Sequence, residues 1–282
     1  MSFVAAYKMH LKRLFTRREF YFVATIMFVI ITGAFLESCF YVFGWSTSTL
    51  NSAALGWIMH MDQQPAGINT ARVFVFLLFG LLASMLYGDS LYSDRREKVL
   101  PIAAVRSEWN KYILGGGLAA FTGAFITFFL AFTLSQVLSL IVYPINSSFF
   151  DYYATVAWED SLSRHPLFPE IYYRMPYLNN LIYMIYASVW AGILSFMSYT
   201  ASLFLDNRLL ITGLPQIFLI IESFVGILPV QKQYSILYYL YPTSFLPEKS
   251  VAFFFFAPIT VLSVLILIFI CCIKTHKKEV YL

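Results

Sequence analysis

DSLYSDRREKVLPIAAVRSEWNK, residues 89–111, is the stretch that decides how this chain is read. It holds Asp89, Asp94, Arg95, Arg96, Glu97, Lys98, Arg106, Glu108 and Lys111. Residues 73–87 before it and 112–143 after it carry no charge. Each charge costs kilocalories in hydrocarbon, so the stretch belongs in water between two membrane spans. Both signs lie close together. That suits a short helix docking on a protein, whereas a tail drawn to anionic lipid would be mostly basic. A plain solvated loop is the simpler alternative. Pro101 in its middle predicts two short helical pieces with a turn between them.

Composition agrees with a membrane setting. Of 282 residues 60% are hydrophobic and 12% charged, against about 25% charged in a soluble domain. The 29 Phe and 20 Tyr suit a chain with long membrane interfaces. A net charge of +4 is too small to argue for nucleic acid, and no basic patch interleaved with stacking aromatics lies outside the apolar runs. Cys271 and Cys272 are adjacent in one apolar run and Cys39 belongs at the other membrane face, so no disulfide framework is expected.

Working outward, residues 1–18 place Phe3, Val4, Tyr7, Leu11, Leu14 and Phe15 on one helical face and Lys8, His10, Lys12, Arg13, Arg17 and Arg18 on the other. That pattern predicts an amphipathic helix in the interface plane. A signal peptide is the competing reading, disfavoured because no small-x-small cleavage site follows Phe35. Spans are predicted at about residues 20–43, 73–91, 112–143, 181–205, 209–228 and 251–273. Gly80, Ser84 and Gly88 recur every four residues in the second, a spacing that permits close helix approach within one subunit or at a dimer seam. The third would be about 48 Å long against a ~30 Å core, so it projects from the membrane or breaks near Ser135 and Gln136. Gly115, Gly116 and Gly117 precede no Lys-Ser or Lys-Thr, so they are packing residues or a flexible helix start and not a phosphate loop. Pro215 falls inside the fifth span, where neighbours must satisfy the freed carbonyl. Residues 44–70 and 144–180 are polar outer segments. Residues 222–250 are apolar but broken by Pro229, Pro242 and Pro247, which predicts short helices dipping into one membrane face.

Lys and Arg set the orientation. With both termini inside, the cytoplasmic side holds five before span 1, five between spans 2 and 3, Arg208 and three in the tail, which is 14 of the 19. The predicted fold is an all-α membrane protein with six transmembrane helices. It has an N-terminal amphipathic interfacial helix, cytoplasmic coupling helices between spans 2 and 3, and short re-entrant helices between spans 5 and 6, in one domain over 1–282.

Catalytic signatures are missing. The sequence has no Walker A pattern, no dinucleotide fingerprint, no His-Glu-x-x-His and no nucleophile elbow. His10, His60, His165 and His276 are scattered over both sides and read as loop or interface residues rather than metal ligands. Glu37 and Glu222 stand at span ends near the outer face. Glu222, with Phe218 and Phe224 beside it, is a candidate pathway or outer-gate residue, because apolar residues continue on both sides of it; reaching water at the interface is its plainer role. No acid or base lies mid-span, which weighs against a proton-coupled carrier.

With these features in place, the chain resembles the membrane subunit of an ABC-2-type transporter, the permease half of an ABC exporter. The resemblance is carried by the interfacial helix at 1–18, the charged 2–3 loop with Leu100-Pro101 followed by Lys111-Tyr112, the short link Asp206-Asn207-Arg208, and LYYLYPTSFL at 237–246 before the last span. The family's Glu-Arg-x-x-Gly-Thr is here Asp94-Arg95-Arg96-Glu97-Lys98, and Ala103-Ala104 stand where Ser-Arg usually follows the proline. The resemblance implies docking of an ATP-binding subunit, in two copies, on the 2–3 loop. Asp94, Arg95, Arg96, Glu97, Arg106 and Glu108 would supply paired charge, and Leu100, Pro101 and Trp109 the apolar contact. It also implies a second permease subunit, identical or not. ATP and Mg would sit on the partner, and this chain would hold no cofactor and be no enzyme itself. Charge-free, Phe-rich spans suit a hydrophobic or amphipathic cargo: a peptide, a drug-like molecule or a lipid-linked one. Low cysteine use and the lack of strong targeting signals point to a bacterial plasma membrane. Two rival readings are a non-transporting membrane sensor or assembly subunit that uses the same loop, and an integral membrane enzyme, for which convergent Glu, His or Asp in the spans are wanting.

Overall fold

The computed structural model describes residues 2–44, 50, 52–63, 74–98, 109–145, 166–225, 234–242 and 249–280. Every regular element among them is helical. Helix α1 spans Phe3–Thr16 and starts where Ser2 Oγ accepts the Ala5 N–H at 3.3 Å, which satisfies one of the free donors of a helix start. Arg17 has an extended backbone (φ −72°, ψ 148°), so the chain turns there before α2, Arg18–Val42. A 3₁₀ turn covers Ile58–Gln63. A π turn at Phe74–Leu78 leads into α3, Phe79–Tyr87. Next come α4 (Ser90–Arg96), α5 (Trp109–Val142), α6 (Pro169–Arg174) and α7 (Pro176–Ala201). The chain then forms α8 (Arg208–Val225), α9 (Ile236–Tyr239) and α10 (Val251–Val280).

Four of these, Arg18–Phe40, Trp109–Val142, Pro176–Ala201 and Val251–Thr275, are long and apolar enough to cross a membrane. Only α7 is mostly enclosed: 78% of its apolar stretch is buried, against 22% for α10. Helix α7 is therefore the inner helix, and α5, α3, α8 and α10 pack around it. The expected second span is not one straight helix over 73–91. It is the π turn plus α3, then a turn at Gly88 and Asp89, then α4. Its 14 helical residues from Phe74 to Tyr87 rise about 21 Å, short of a ~30 Å core.

The 34-residue α5 does not break at Ser135 and Gln136. Those polar side chains hold a neighbour instead. Residues 52–60, expected in a polar outer segment, fold back against α2 and α5 and are buried almost throughout. Ser135 Oγ accepts the Ile58 N–H (3.2 Å), Gln136 Nε2 donates to Ala53 O (2.9 Å), and Ser139 Oγ donates to Gly56 O (2.8 Å). Trp57 Nε1 donates to Phe132 O at 3.2 Å. His60 Nε2 donates to Asn180 Oδ1 (2.8 Å), and Asn180 Nδ2 donates to Ala54 O (2.8 Å) and Gln136 Oε1 (2.7 Å). A backbone away from water must pair its polar groups, and these side chains do that for an irregular segment. Below it, Phe74, Phe79, Phe128 and Phe132 pack with ring centroids 5.2–6.4 Å apart, most of them edge to face.

The small-residue stripe serves packing within the chain. Gly80 N–H donates to Gln216 Oε1 of α8 (2.9 Å), and Ser84 Oγ donates to Thr212 O (2.6 Å). A Cβ on Gly88 would lie 2.4 Å from Ser198 Cβ. Gly115, Gly116 and Gly117 likewise pack mid-helix, where a Cβ would meet Ala6, Tyr199 and Phe196 respectively. Gln216 lies one residue past Pro215, and it supplies an acceptor where the start of α3 has no side-chain cap of its own.

Candidate functional site

The end of the bundle that carries α1 also carries the Gly88–Asp89 turn and the link from α7 to α8. Helix periodicity puts His10, Arg13 and Arg17 at three- and four-residue spacing on one side of the N-terminal segment. That side docks on α5 together with Ala6 and Leu14, both fully buried. The buried flank is rotated from the apolar face read in the sequence. Phe3 and Val4 stay exposed, while His10 lies inside at 1% exposure. His10 is thus a buried helix residue, not a loop one, and so is His60 in the 3₁₀ turn. His165 lies outside the described residues, and so does the side chain of His276.

Two buried aspartates face this flank, each 1% exposed. Arg13 Nη1 reaches Asp94 Oδ1 at 2.5 Å, and the Tyr112 hydroxyl donates to Asp94 Oδ2 at 2.8 Å. Asp89 sits between two guanidiniums: Arg17 Nη1 at 3.1 Å and Arg208 Nε at 2.8 Å. Both arginines also reach Glu19, Arg17 at 3.3 Å and Arg208 at 2.9 Å. The result is a closed ring of alternating charge, Arg17–Asp89–Arg208–Glu19. Arg17 further covers the Tyr87 ring at 5.6 Å, and the Tyr87 hydroxyl shares a 2.8 Å hydrogen bond with His10 Nδ1.

Arg95 completes the joint. Its Nη2 donates to Leu205 O (2.7 Å) and its Nη1 to Leu203 O (3.3 Å), carbonyls just past the end of α7. Its ion pair with Asp206 at 3.3 Å adds little, because Asp206 is 89% exposed. The joint ties α1, the start of α2, the α3–α4 turn, the start of α5 and the α7–α8 link into one body. Removing one partner of a buried pair leaves a bare charge and costs about 3–5 kcal/mol.

The residues expected to meet a partner subunit divide accordingly. Asp94 is buried and Trp109 is 5% exposed within the core, so neither is presented at the surface, while Arg95 is half-buried and engaged by the carbonyls of Leu203 and Leu205. Arg96, the last residue of α4, and Glu97 and Lys98 after it are exposed. Lys98 takes a left-handed backbone (φ 55°) that ends the helix. Leu100, Pro101, Arg106 and Glu108 lie outside the described residues. At the other end, Glu222 is half-buried at the C-terminal end of α8. It accepts the Ile236 N–H (2.6 Å) and the Ser235 hydroxyl (3.2 Å) and so fastens α8 to the short α9. Phe218 packs against the core and Phe224 is exposed. Among the described residues no cluster of His, Cys, Asp and Glu has the makings of a metal site, and Cys39, Cys271 and Cys272 are free thiols.

Sequence reasoning missed Asp89 as a buried anchor, because charge between apolar runs was read as solvated. A signal did exist: a single Arg in a three-residue link between apolar runs, like the arginines of the basic N-terminal helix, calls for acidic partners.

Burial drives the His10 pKa down to about 4, and the positive charge of Arg13 adds to the effect. The unfolded chain takes up a proton near pH 6.5 while the folded one resists it, so stability is level above pH 6.5 and falls as the pH drops from there toward 4. The expected loss from His10 is about 2 kcal/mol at pH 5. Thermal melts in detergent from pH 7.5 to 5 should show this slope in the wild type. His10→Gln, which keeps a hydrogen-bonding side chain without a titrating ring, should flatten it.

Comparison of the chain with protein-family models, with curated proteins and with solved structures finds no match.

Proposed function

We propose that this chain is the membrane-spanning permease subunit of an ATP-driven exporter, an ABC-2-type transporter, with six spans and both termini in the cytoplasm of a bacterial cell. Helices α2, α5, α7 and α10 are four of these spans; the second runs through the π turn and α3, and the fifth through α8. The observation that carries the reading is the buried ion-pair joint. It links the N-terminal helix, the 2–3 bend and the 4–5 link at the end where 14 of the 19 basic residues belong. A push on one of these elements is passed to the others, because separating them exposes paired charge.

Two copies of an ATP-binding subunit dock on the exposed Arg96–Lys98 rim and the residues that follow it, and hold the ATP and Mg. Their closure moves α4, and the joint carries α1, α5 and α8 with it. With a second permease subunit, the spans then open outward for a hydrophobic or amphipathic cargo. A second reading, a non-transporting sensor or assembly subunit, is favoured by one observation: Asp94, Arg95 and Trp109 are already used within the chain.

Affinity purification from the native host in mild detergent tests the choice. An ATP-hydrolysing chain should be recovered with the wild type and lost from the Arg96→Ala/Glu97→Ala variant. Recovery with no such chain overturns the permease reading and leaves the sensor.

A further inference from the structure

A cavity of about 410 Å³ opens between α1, α5, α7 and α10. Phe3, Leu114, Leu118, Phe196, Ile266 and Ile270 form most of its wall, and every lining side chain is apolar. Gly117 lies among them. A Cβ there would meet Phe196 Cε2 at 2.9 Å and Phe269 Cζ at 3.2 Å, so this glycine lets the two edge-to-face rings, 5.1 Å apart, form the floor. Leu114, Leu118, Ile266 and Ile270 are each about two-fifths exposed, which leaves the cavity open on the flank of the bundle. Helix α10 is the least enclosed of the long helices, so the opening faces the surrounding bilayer.

Helix α10 runs into a lysine toward its C-terminal end. On α10, Leu262, Ile266 and Ile270 recur every four residues along the wall, and exposed Lys274 is the next position on that stripe, about 6 Å further along the axis. The site is an apolar slot with a cationic lip. Its volume is in the range of small-ligand pockets, and its walls offer nothing to a sugar or an ion. An amphiphile with a negative head fits both parts, and the bilayer supplies one.

We propose that this cavity holds an acyl chain of an anionic phospholipid, with the headgroup phosphate against Lys274. The site requires only that the chain is embedded in a bilayer and does not depend on its being a permease.

The test is native mass spectrometry of the detergent-purified protein with added phosphatidylglycerol or phosphatidylcholine. The wild type should retain phosphatidylglycerol about fivefold better, the preference one surface lysine confers. Lys274→Glu should erase that preference. Ile266→Trp, which fills the slot from α10, should lose both lipids, and Leu118→Trp repeats the block from α5 should the first variant melt early. Equal retention of the two lipids by the wild type, or undiminished retention by both tryptophan variants, overturns the proposal. Failure to recover an ATP-hydrolysing partner leaves it untouched.

Discussion

Asp94→Ala should lower stability by about 3–5 kcal/mol. Asp94 is 1% exposed, faces Arg13 at 2.5 Å and accepts the Tyr112 hydroxyl. Truncation leaves the guanidinium without its counter-charge and a phenol without its acceptor. The loss belongs to the unpaired remainder and not to the strength of the pair. The double variant Arg13→Met/Asp94→Leu should therefore regain much of it, as buried pairs replaced by apolar side chains of similar size commonly do. Denaturant or thermal unfolding in detergent measures both. Equal losses in the single and double variants would mean that the charge was never buried. If the joint also transmits force, the double variant folds but uncouples, with ATP hydrolysis by the assembled complex no longer answering to cargo.

Asn180→Leu should have an effect of similar size at the opposite end. Asn180 is fully buried and holds His60, Gln136 and the Ala54 carbonyl at once. Each buried group left without a partner costs about 1–3 kcal/mol, so a total of at least about 3 kcal/mol is expected from the three. Removing a partner as well, in His60→Leu/Asn180→Leu, should return part of that loss. Wild-type stability in Asn180→Leu would show that residues 52–60 are not held inside the bundle.

These two sites mark where the sequence was legible and where it was not. Long apolar runs gave α2, α5, α7 and α10 to within a few residues, since helix formation there needs only hydrophobic length. A helix at the N-terminus was legible from its amphipathic period, although the flank it buries was not. What did not show was pairing between distant segments. Asp89 and Arg208 are 119 positions apart and Asp94 and Arg13 are 81 apart, so no local pattern marks them as partners. Each looks solvated until the helices meet. Residues 53–60 misled for the opposite reason: Asn, Ser and Gly nearby suggested an outer loop, although Ala-Ala-Leu-Gly-Trp-Ile-Met is apolar enough to be buried. The Gly80–Gly88 stripe left packing and dimerisation open, and the nearness of Gln216 and Ser198 decides for packing within the chain.

The most direct measurement is of the side on which the joint lies. With Cys39, Cys271 and Cys272 replaced by alanine, an Arg96→Cys chain should stay unlabelled by a membrane-impermeant maleimide in intact cells and react once the membrane is opened. Labelling in intact cells would put the joint outside, out of reach of any ATP-hydrolysing partner, and would contradict the proposed function.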